Sequence, residues 1–315
     1  MDTFLILTPG PYTTIQDKGR FGYQHIGVPL SGALDQFALR IANLLTGNPE
    51  DSAVLEITVL GPQLAVLQEA DIALTGAEMQ LKINDKPAAS WQTIRVEPGD
   101  RIAIQQIKTG CRGYLSVNGG FDTPVIMGSR STYTGGKLGG WHGRPLKKGD
   151  ILGKGACPLL KTPRQLAKSQ IPRYVEEITL RALPGPQDDF FDEGLETLFQ
   201  SEYTISAKAD RMGYRLQGAP IKTKENQPAS IISEPTMPGG IQIPADQQPI
   251  ILLVEQTVGG YTKIATVISS DLALVAQATP GVKVRFEQVS LETAHRLYNE
   301  EINRMHAIKE QLSSP

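Results

Sequence analysis

Two arginines four residues apart, Arg211 and Arg215, stand in the run Asp210-Arg211-Met212-Gly213-Tyr214-Arg215. A guanidinium is a planar fork of donors that grips a carboxylate or phosphate through two parallel hydrogen bonds, so the pair suits an oxyanion. A surface strand on which Asp210 pairs locally with Arg211 would carry the same residues. Further on, Glu255-Gln256-Thr257-Val258-Gly259-Gly260-Tyr261 follows the apolar run 250–254, and its glycines let main-chain amides approach a ligand closely. Near the N-terminus, residues 13–23 gather Gln16, Asp17, Arg20 and Tyr23 around Gly19 and Gly22 with little hydrophobic period. That is the texture of a functional loop after a strand, or of a surface loop clasped by Asp17 and Arg20. Ser31 and Asp35 come just before the first helical pattern, where either can cap it. On that helix Arg40 and Asn43 lie three apart and share one side, facing a ligand or water.

Other chemistries are poorly supplied. His25, His142, His295 and His306 are scattered with no zinc-binding spacing, and Cys111 and Cys157 form no CxxC. A reducing compartment keeps both as thiols, and Cys111 reads as a small buried hydrophobe. Neither a GxSxG elbow nor a GxxxxGK[ST] loop occurs. The nearest glycine runs are Gly135, Gly136, Lys137, Gly139, Gly140 and Gly149, Gly153, Lys154, Gly155, which could cradle an anion or serve as barrel connections. With 31 Lys and Arg against 33 Asp and Glu, and no basic block, the charge gives no footprint for nucleic acid. The first residues lack the n- and h-regions of a signal peptide, and no run approaches the 18 or so apolar residues of a membrane span. The expectation is a cytoplasmic protein without a metal site and with neither nucleic acid nor membrane as partner.

The elements that must position these residues are mostly strands. Runs rich in Val, Ile, Leu and Thr at 54–60, 63–67, 72–74, 80–83, 93–96, 101–106 and 113–117 are separated by Asn84-Asp85, Pro98-Gly99-Asp100 and Gly149-Asp150 turns. This spacing predicts a mainly β chain, a barrel or sandwich. Helices are expected at 35–45, with Phe37, Ile41, Leu44 and Leu45 on one face, and at 290–311, with Leu291, Ala294, Tyr298, Ile302 and Met305 as its stripe. The polar, proline-punctuated stretch 156–172 reads as a linker, dividing a first domain at 1–160 from a second at 173–315. The second half restarts with strands at 177–183, 231–232, 250–254, 263–268 and 282–286. A Gly-Pro-Gln ending recurs at 61–63 and 185–187, a weak echo of two related halves.

Several strings together carry a resemblance: TTIQDKGRFGY at 13–23, GVPLSGALD at 27–35, ALRIANLLTGN at 38–48, LEITVLGP at 55–62, YLSVNGGFD at 114–122, MGSRST at 127–132 and DRMGYRLQG at 210–218. From about residue 8 to 287 the chain resembles the KipA family, also called PxpC, the C component of 5-oxoprolinase, or allophanate hydrolase subunit 2-like. The resemblance implies two cyclophilin-like β-barrel domains in tandem with a few helices. It implies work beside a KipI-like (PxpB-type) subunit and a PxpA-type subunit, as an ATP-dependent 5-oxoprolinase that needs ATP with Mg in the assembled complex. Related regions form the carboxyltransferase part of biotin-dependent urea carboxylase, so biotin enters under that alternative. A third alternative is a non-catalytic antagonist that binds a KipI-like kinase inhibitor.

Both reactions start from an unreactive amide, and activating it builds negative charge on its oxygen. Preorganised donors aimed at that oxygen lower the barrier, by about 3–4 kcal/mol for one donor. On this view Asp17, Arg20, Arg211, Arg215 and Gln256 are the catalytic candidates. Gln16, Tyr23, Asp35, Arg40, Glu255, Gly259, Gly260 and Tyr261 are the substrate-binding candidates. The chain departs from the family where members usually read close to LxDxQTTGGYP. Here residues 254–262 are one residue shorter, with Glu255 for Asp, Val258 for the second Thr and Thr262 for Pro, and Gln247 replaces a usual glycine.

Overall fold

A computed structural model describes residues 2–228 and 230–313. The chain divides into two compact units. One takes the segments through Arg20, Ser31–Tyr174 and Met305 onward, and the other takes Phe21–Leu30 and Val175–Arg304. Neither unit is one stretch of chain, because the loop after Arg20 is packed into the second unit and the last turns of the C-terminal helix into the first.

In the first unit the elements run β1 (Asp2–Thr8), β2 (Tyr12–Gln16), α1 (Gln36–Leu45), β3 (Val54–Thr58), β4 (Gln63–Val66), β5 (Ala70–Ile83), β6 (Lys86–Ala88), β7 (Ile94–Val96), β8 (Arg101–Val117) and β9 (Ile151–Gly153). They form one curled sheet in the order β2-β3-β8-β4-β1-β9, with β5 also laid along β8 and β6 and β7 paired to β5. Four of the short runs expected from sequence fuse pairwise here, 72–74 with 80–83 into β5 and 101–106 with 113–117 into β8. Glycine is the reason: Gly76 (φ +83) and Gly110 (φ +85) let each strand turn sharply, and the register shifts around Gly76, Glu78 and Met79 absorb the bend without ending the pairing. Asn84 and Asp85, both at positive φ, make the two-residue hairpin that returns β5 to β6 with Ile83 opposite Lys86.

The inner face of this sheet buries Phe4, Ile15, Leu55, Leu74, Leu115 and Phe121. Its other face carries α1, whose Phe37, Ile41 and Leu45 meet Ala73, Trp91 and Tyr114. Asp35 caps that helix, its Oδ1 accepting from the Ala38 amide at 2.9 Å, so the helix begins one residue later than the sequence pattern alone places it. The stretch 156–172 is not a loose tether. Leu160 N donates to Asp71 Oδ2 (2.6 Å), Leu166 is buried and Thr93 N donates to Arg164 O (2.8 Å), so the segment lies pinned against the sheet of the first unit.

The second unit holds β10 (Glu177–Pro184), α2 (Gly194–Gln200), β11 (Glu202–Ala209), β12 (Gly213–Gln217), β13 (Ser230–Pro235), β14 (Gly240–Ile243), β15 (Ile250–Leu252), β16 (Val258–Val267), α3 (Leu272–Gln277), β17 (Lys283–Gln288) and most of α4 (Leu291–Ser313). Strand β10 pairs in parallel with β17 and antiparallel with β16, which closes the ring β10-β17-β11-β12-β15-β14-β16 into a seven-stranded barrel. Closure removes the sheet edges, and β13 hangs from β16 as the strand outside the ring. The mainly β expectation holds, with short α2 and α3 as helices that the hydrophobic period did not reveal. In α4 the buried side chains are Ala294, Met305, Ile308 and Leu312, whereas Leu291 and Tyr298 are exposed, which moves the apolar stripe toward the C-terminal end. Among the described residues no helix is long and apolar enough to cross a membrane.

Candidate functional site

In the first unit the chain leaves β2 through Gln16 and turns at once into Asp17, Gly19 and Arg20. Asp17 is buried and accepts four hydrogen bonds, from Gly19 N (2.8 Å), Ser129 Oγ (2.7 Å), Arg130 N (2.6 Å) and Ser131 Oγ (2.5 Å). These four donors tie the 17–20 turn to the 126–131 loop. Arg20 is completely buried. Its Nε donates to Ile126 O (3.0 Å) and its Nη2 to Ser131 O (2.9 Å), and its Nη1 has no partner among the described residues. Burial pulls the guanidinium below its usual range, and the Asp17 charge opposes that pull. Gln16 spends its amide on Thr14 Oγ1 and Thr132 O while accepting from Gly32 N.

Two loops meet at this point through glycine. A Cβ on Gly32 (φ +86) would lie 2.8 Å from Gly19 Cα, so only hydrogen fits there. The neighbouring Ser31, also at positive φ, buries an Oγ that has no partner among the described residues. Gln16, Asp17 and Arg20 are thus brought together. Two other candidates in this unit lie apart from them in role. Asp35 caps α1 and takes a hydrogen bond from Tyr174 Oη at 3.3 Å, the phenol being kept protonated by burial and by the Asp35 charge. Arg40 is paired with Glu50 (Nε to Oε2, 2.6 Å), and Asn43 beside it bonds Glu50 O and Ser52 O, so the pair pins the loop after α1.

In the second unit Arg211 lies just before β12 and Glu255 just after β15, the strand that pairs with it. Their main chains bond (Glu255 N to Arg211 O, 3.1 Å) and their side chains meet, Arg211 Nε to Glu255 Oε1 at 2.6 Å, both about 6–7% exposed. Arg215, on β12 opposite Ile250, is more exposed and is ion-paired with Asp246. The two arginines therefore address different carboxylates. Gln256 is half-buried and donates to Val258 O (2.8 Å) across the turn into β16. Gly259 and Gly260 are half-buried, Tyr261 is 43% exposed opposite Ser230, and Tyr23 is half-buried at the head of a one-turn helix, Gln24–Ile26.

Sequence reasoning passed over Gln242 and Thr236. Gln242 is the middle of the apolar run Ile241-Gln242-Ile243 on β14 and is 2% exposed, and Thr236 follows β13 at 6%. Gln242 Nε2 and Thr236 Oγ1 both lack partners among the described residues. The signal that could have found them was the lone amide inside a strand of isoleucines. Also passed over was a buried chain in which Tyr114 Oη donates to Glu56 Oε2 (2.9 Å) and accepts from Asp35 N (2.9 Å).

Several glycines of the two runs are packed closely. Cβ atoms on Gly135 and Gly136 would lie 3.0 and 2.7 Å from the Tyr133 ring, and Gly155 is pressed on Gly119 O. No three His, Cys, Asp or Glu side chains gather as a metal-binding group among the described residues.

A family model described as the carboxyltransferase domain, subdomain A and B, matches residues 26–288. The chain is 40% identical over 294 residues to the C component of 5-oxoprolinase from Escherichia coli, covering 92% of each chain. It is 37% identical over 286 residues to the same component from Haemophilus influenzae, covering 90% of each. Among solved structures it is similar to the urea carboxylase of Kluyveromyces lactis, with a TM-score of 0.92 and 32% identity over 99% of this chain and 30% of that one.

Proposed function

This chain belongs to the carboxyltransferase domain family, and from that premise we propose that it is a subunit of an ATP-dependent 5-oxoprolinase, which opens 5-oxo-L-proline to L-glutamate. The observation that carries this is the 40% identity to the C component of a 5-oxoprolinase along 92% of both chains, a match that runs nearly the full length of each. The assembly is completed by a KipI-like and a PxpA-type subunit, and we assign it to the cytoplasm.

The chemistry asks for donors at the lactam oxygen and a cation for the substrate carboxylate. Arg20 supports the first requirement, since its buried guanidinium keeps Nη1 without a partner among the described residues while Nε and Nη2 are anchored to Ile126 O and Ser131 O. An anchored, desolvated donor needs no reorganisation when charge develops on the oxygen. Asp17, with four donors on its carboxylate, holds the loop to which Arg20 is anchored. The second unit carries a polar pair of its own, in which Glu255 orients Arg211 through its Nε. ATP supplies the phosphoryl group that activates the amide oxygen. No step of this chain is routed through the nucleotide.

The test is glutamate formation from 5-oxoproline and ATP by the reconstituted three-subunit assembly, compared with the same assembly lacking this chain. Equal rates would end the proposal. A second reading, carboxyl transfer from biotin to urea or another amide, is favoured by the similarity to urea carboxylase. It requires a biotinylated protein in the assembly, which an avidin blot of the co-purified complex detects.

A further inference from the structure

Four consecutive main-chain amides precede α1, and each has its own acceptor. Gly32 N donates to Gln16 Oε1 (3.1 Å) and Ala33 N to Asp17 O (2.8 Å), both where β2 passes into the turn that carries Arg20. Leu34 N donates to Glu56 Oε2 (2.9 Å) and Asp35 N to Tyr114 Oη (2.9 Å), both on strands of the sheet. The segment is therefore a bridge whose first half holds the turn and whose second half is held by the sheet. The sheet side is a row of buried polar residues. Thr14 lies opposite Glu56, Glu56 opposite Tyr114 and Tyr114 opposite Thr75, so the four cross β2, β3, β8 and β5 on one face. Its two ends are bonded as well, Thr14 Oγ1 accepting from Gln16 Nε2 (3.0 Å) and Thr75 Oγ1 donating to Ala38 O (2.7 Å). Within the row Tyr114 Oη donates to Glu56 Oε2 (2.9 Å), and Arg112 Nε stands 3.8 Å from the other oxygen. Burial, with the charges of Glu56 and Asp35, pushes the Tyr114 phenol well up, so it keeps its proton for that bond.

Stability alone does not call for such a row, because apolar residues of similar size often pack a buried place at least as well. What a fully bonded polar network adds is a single arrangement. Strands β3 and β8 are each paired on both sides, so the oxygens of Glu56 and Tyr114 are held in place and each fixes one amide of the bridge. We propose that Glu56 and Tyr114 are positioning residues for Arg20: they fix residues 32–35, and the bonds from Gly32 and Ala33 carry that fixed place to the 17–20 turn. Neither acts on the substrate directly. The inference rests on the reading of Arg20 as the donor to the lactam oxygen, and gives its turn a second anchorage besides the 126–131 loop.

Tyr114→Phe tests it, since it keeps the ring and its packing and removes the hydroxyl shared by Asp35 N and Glu56. Hydrogen exchange on the full chain, read by mass spectrometry, should quicken about tenfold at residues 32–35 and at residues 17–20 together, while β1 and β4 keep their protection. In the three-subunit assembly kcat for glutamate formation should fall about tenfold or more, the scale of a small misplacement, with kcat and kcat/KM falling alike. In an Arg20→Met background the same change should cost no further turnover, because the row acts through Arg20. Glu56→Gln keeps an acceptor for Leu34 N and should retain most of the turnover that Glu56→Met loses. Quickened exchange confined to 32–35, or independent, multiplying losses of kcat in the double variant, would overturn the proposal. Should Arg20→Met alone leave kcat unchanged, or the wild-type assembly form no glutamate, the functional reading fails. Exchange at 17–20 then still decides whether the row sets the turn.

Discussion

Removing the arginine of the Arg211–Glu255 pair tests whether the second-unit site is built as described. Both side chains are almost fully buried and joined at 2.6 Å, so Arg211→Met leaves the Glu255 carboxylate desolvated beside a methionine. Breaking such a pair from one side costs about 3–5 kcal/mol, while replacing both members by apolar residues is close to neutral. At about 2–4 °C per kcal/mol for a unit of this size, the single variant should lower the melting temperature by roughly 6–20 °C. The double variant Arg211→Met/Glu255→Leu should return to within about 1 kcal/mol of wild type. Calorimetry and urea unfolding of the four proteins give the double-mutant cycle, and glutamate formation by the assembly is measured beside it. If the pair also serves turnover, the double variant regains stability without regaining glutamate formation. A cost below about 1 kcal/mol for Arg211→Met would refute the burial argument, and restored turnover in the double variant would make the pair purely structural.

Arg20→Met should cut kcat of the assembly by about 10²-fold or more, the scale for one lost oxyanion donor, as read from steady-state glutamate formation. Gly76→Ala should destabilise the first unit by about 2 kcal/mol or more in urea unfolding, because φ is +83 and a Cβ would run into Arg112 O. Burial pushes Glu50 up, but hydrogen bonds from Lys309 and Arg40 outweigh it and hold the carboxyl below its usual value of 4.5. A depressed carboxylate stabilises the fold above its unfolded pKa and loses that contribution as pH falls through the folded one. The stability gap between wild type and Glu50→Gln should therefore be full above about pH 5 and shrink toward pH 3 in a series of thermal melts.

Strand and turn chemistry made most of the architecture legible. The Asn84-Asp85 turn falls where residue type places it, the strands expected at 177–183 and 282–286 form at 177–184 and 283–288, and of the two capping candidates Ser31 and Asp35 it is Asp35 that caps, because those preferences act within a few residues. What local preference does not encode is how far a strand continues. Gly76 and Gly110 read as breaks in sequence and act as bends in space, since the partner strand supplies the hydrogen bonds that carry β5 and β8 through them.

For the site, the sequence by itself determined which side chains are chemically able: Arg20, Arg211, Gln16, Asp17, Glu255 and the Gly259-Gly260 pair stand out by type and spacing. Only the tertiary structure decided how each is employed. Asp17 is saturated by donors from residues more than a hundred positions away, and Asp35 and Arg40 are absorbed by a helix cap and an ion pair. Arg20, in contrast, keeps a donor open among the described residues. Gln242 and Thr236 likewise bury side-chain ends that find no partner among those residues. Whether a hydrogen bond is satisfied depends on what the fold brings within 3.5 Å, and that sum runs over the whole chain.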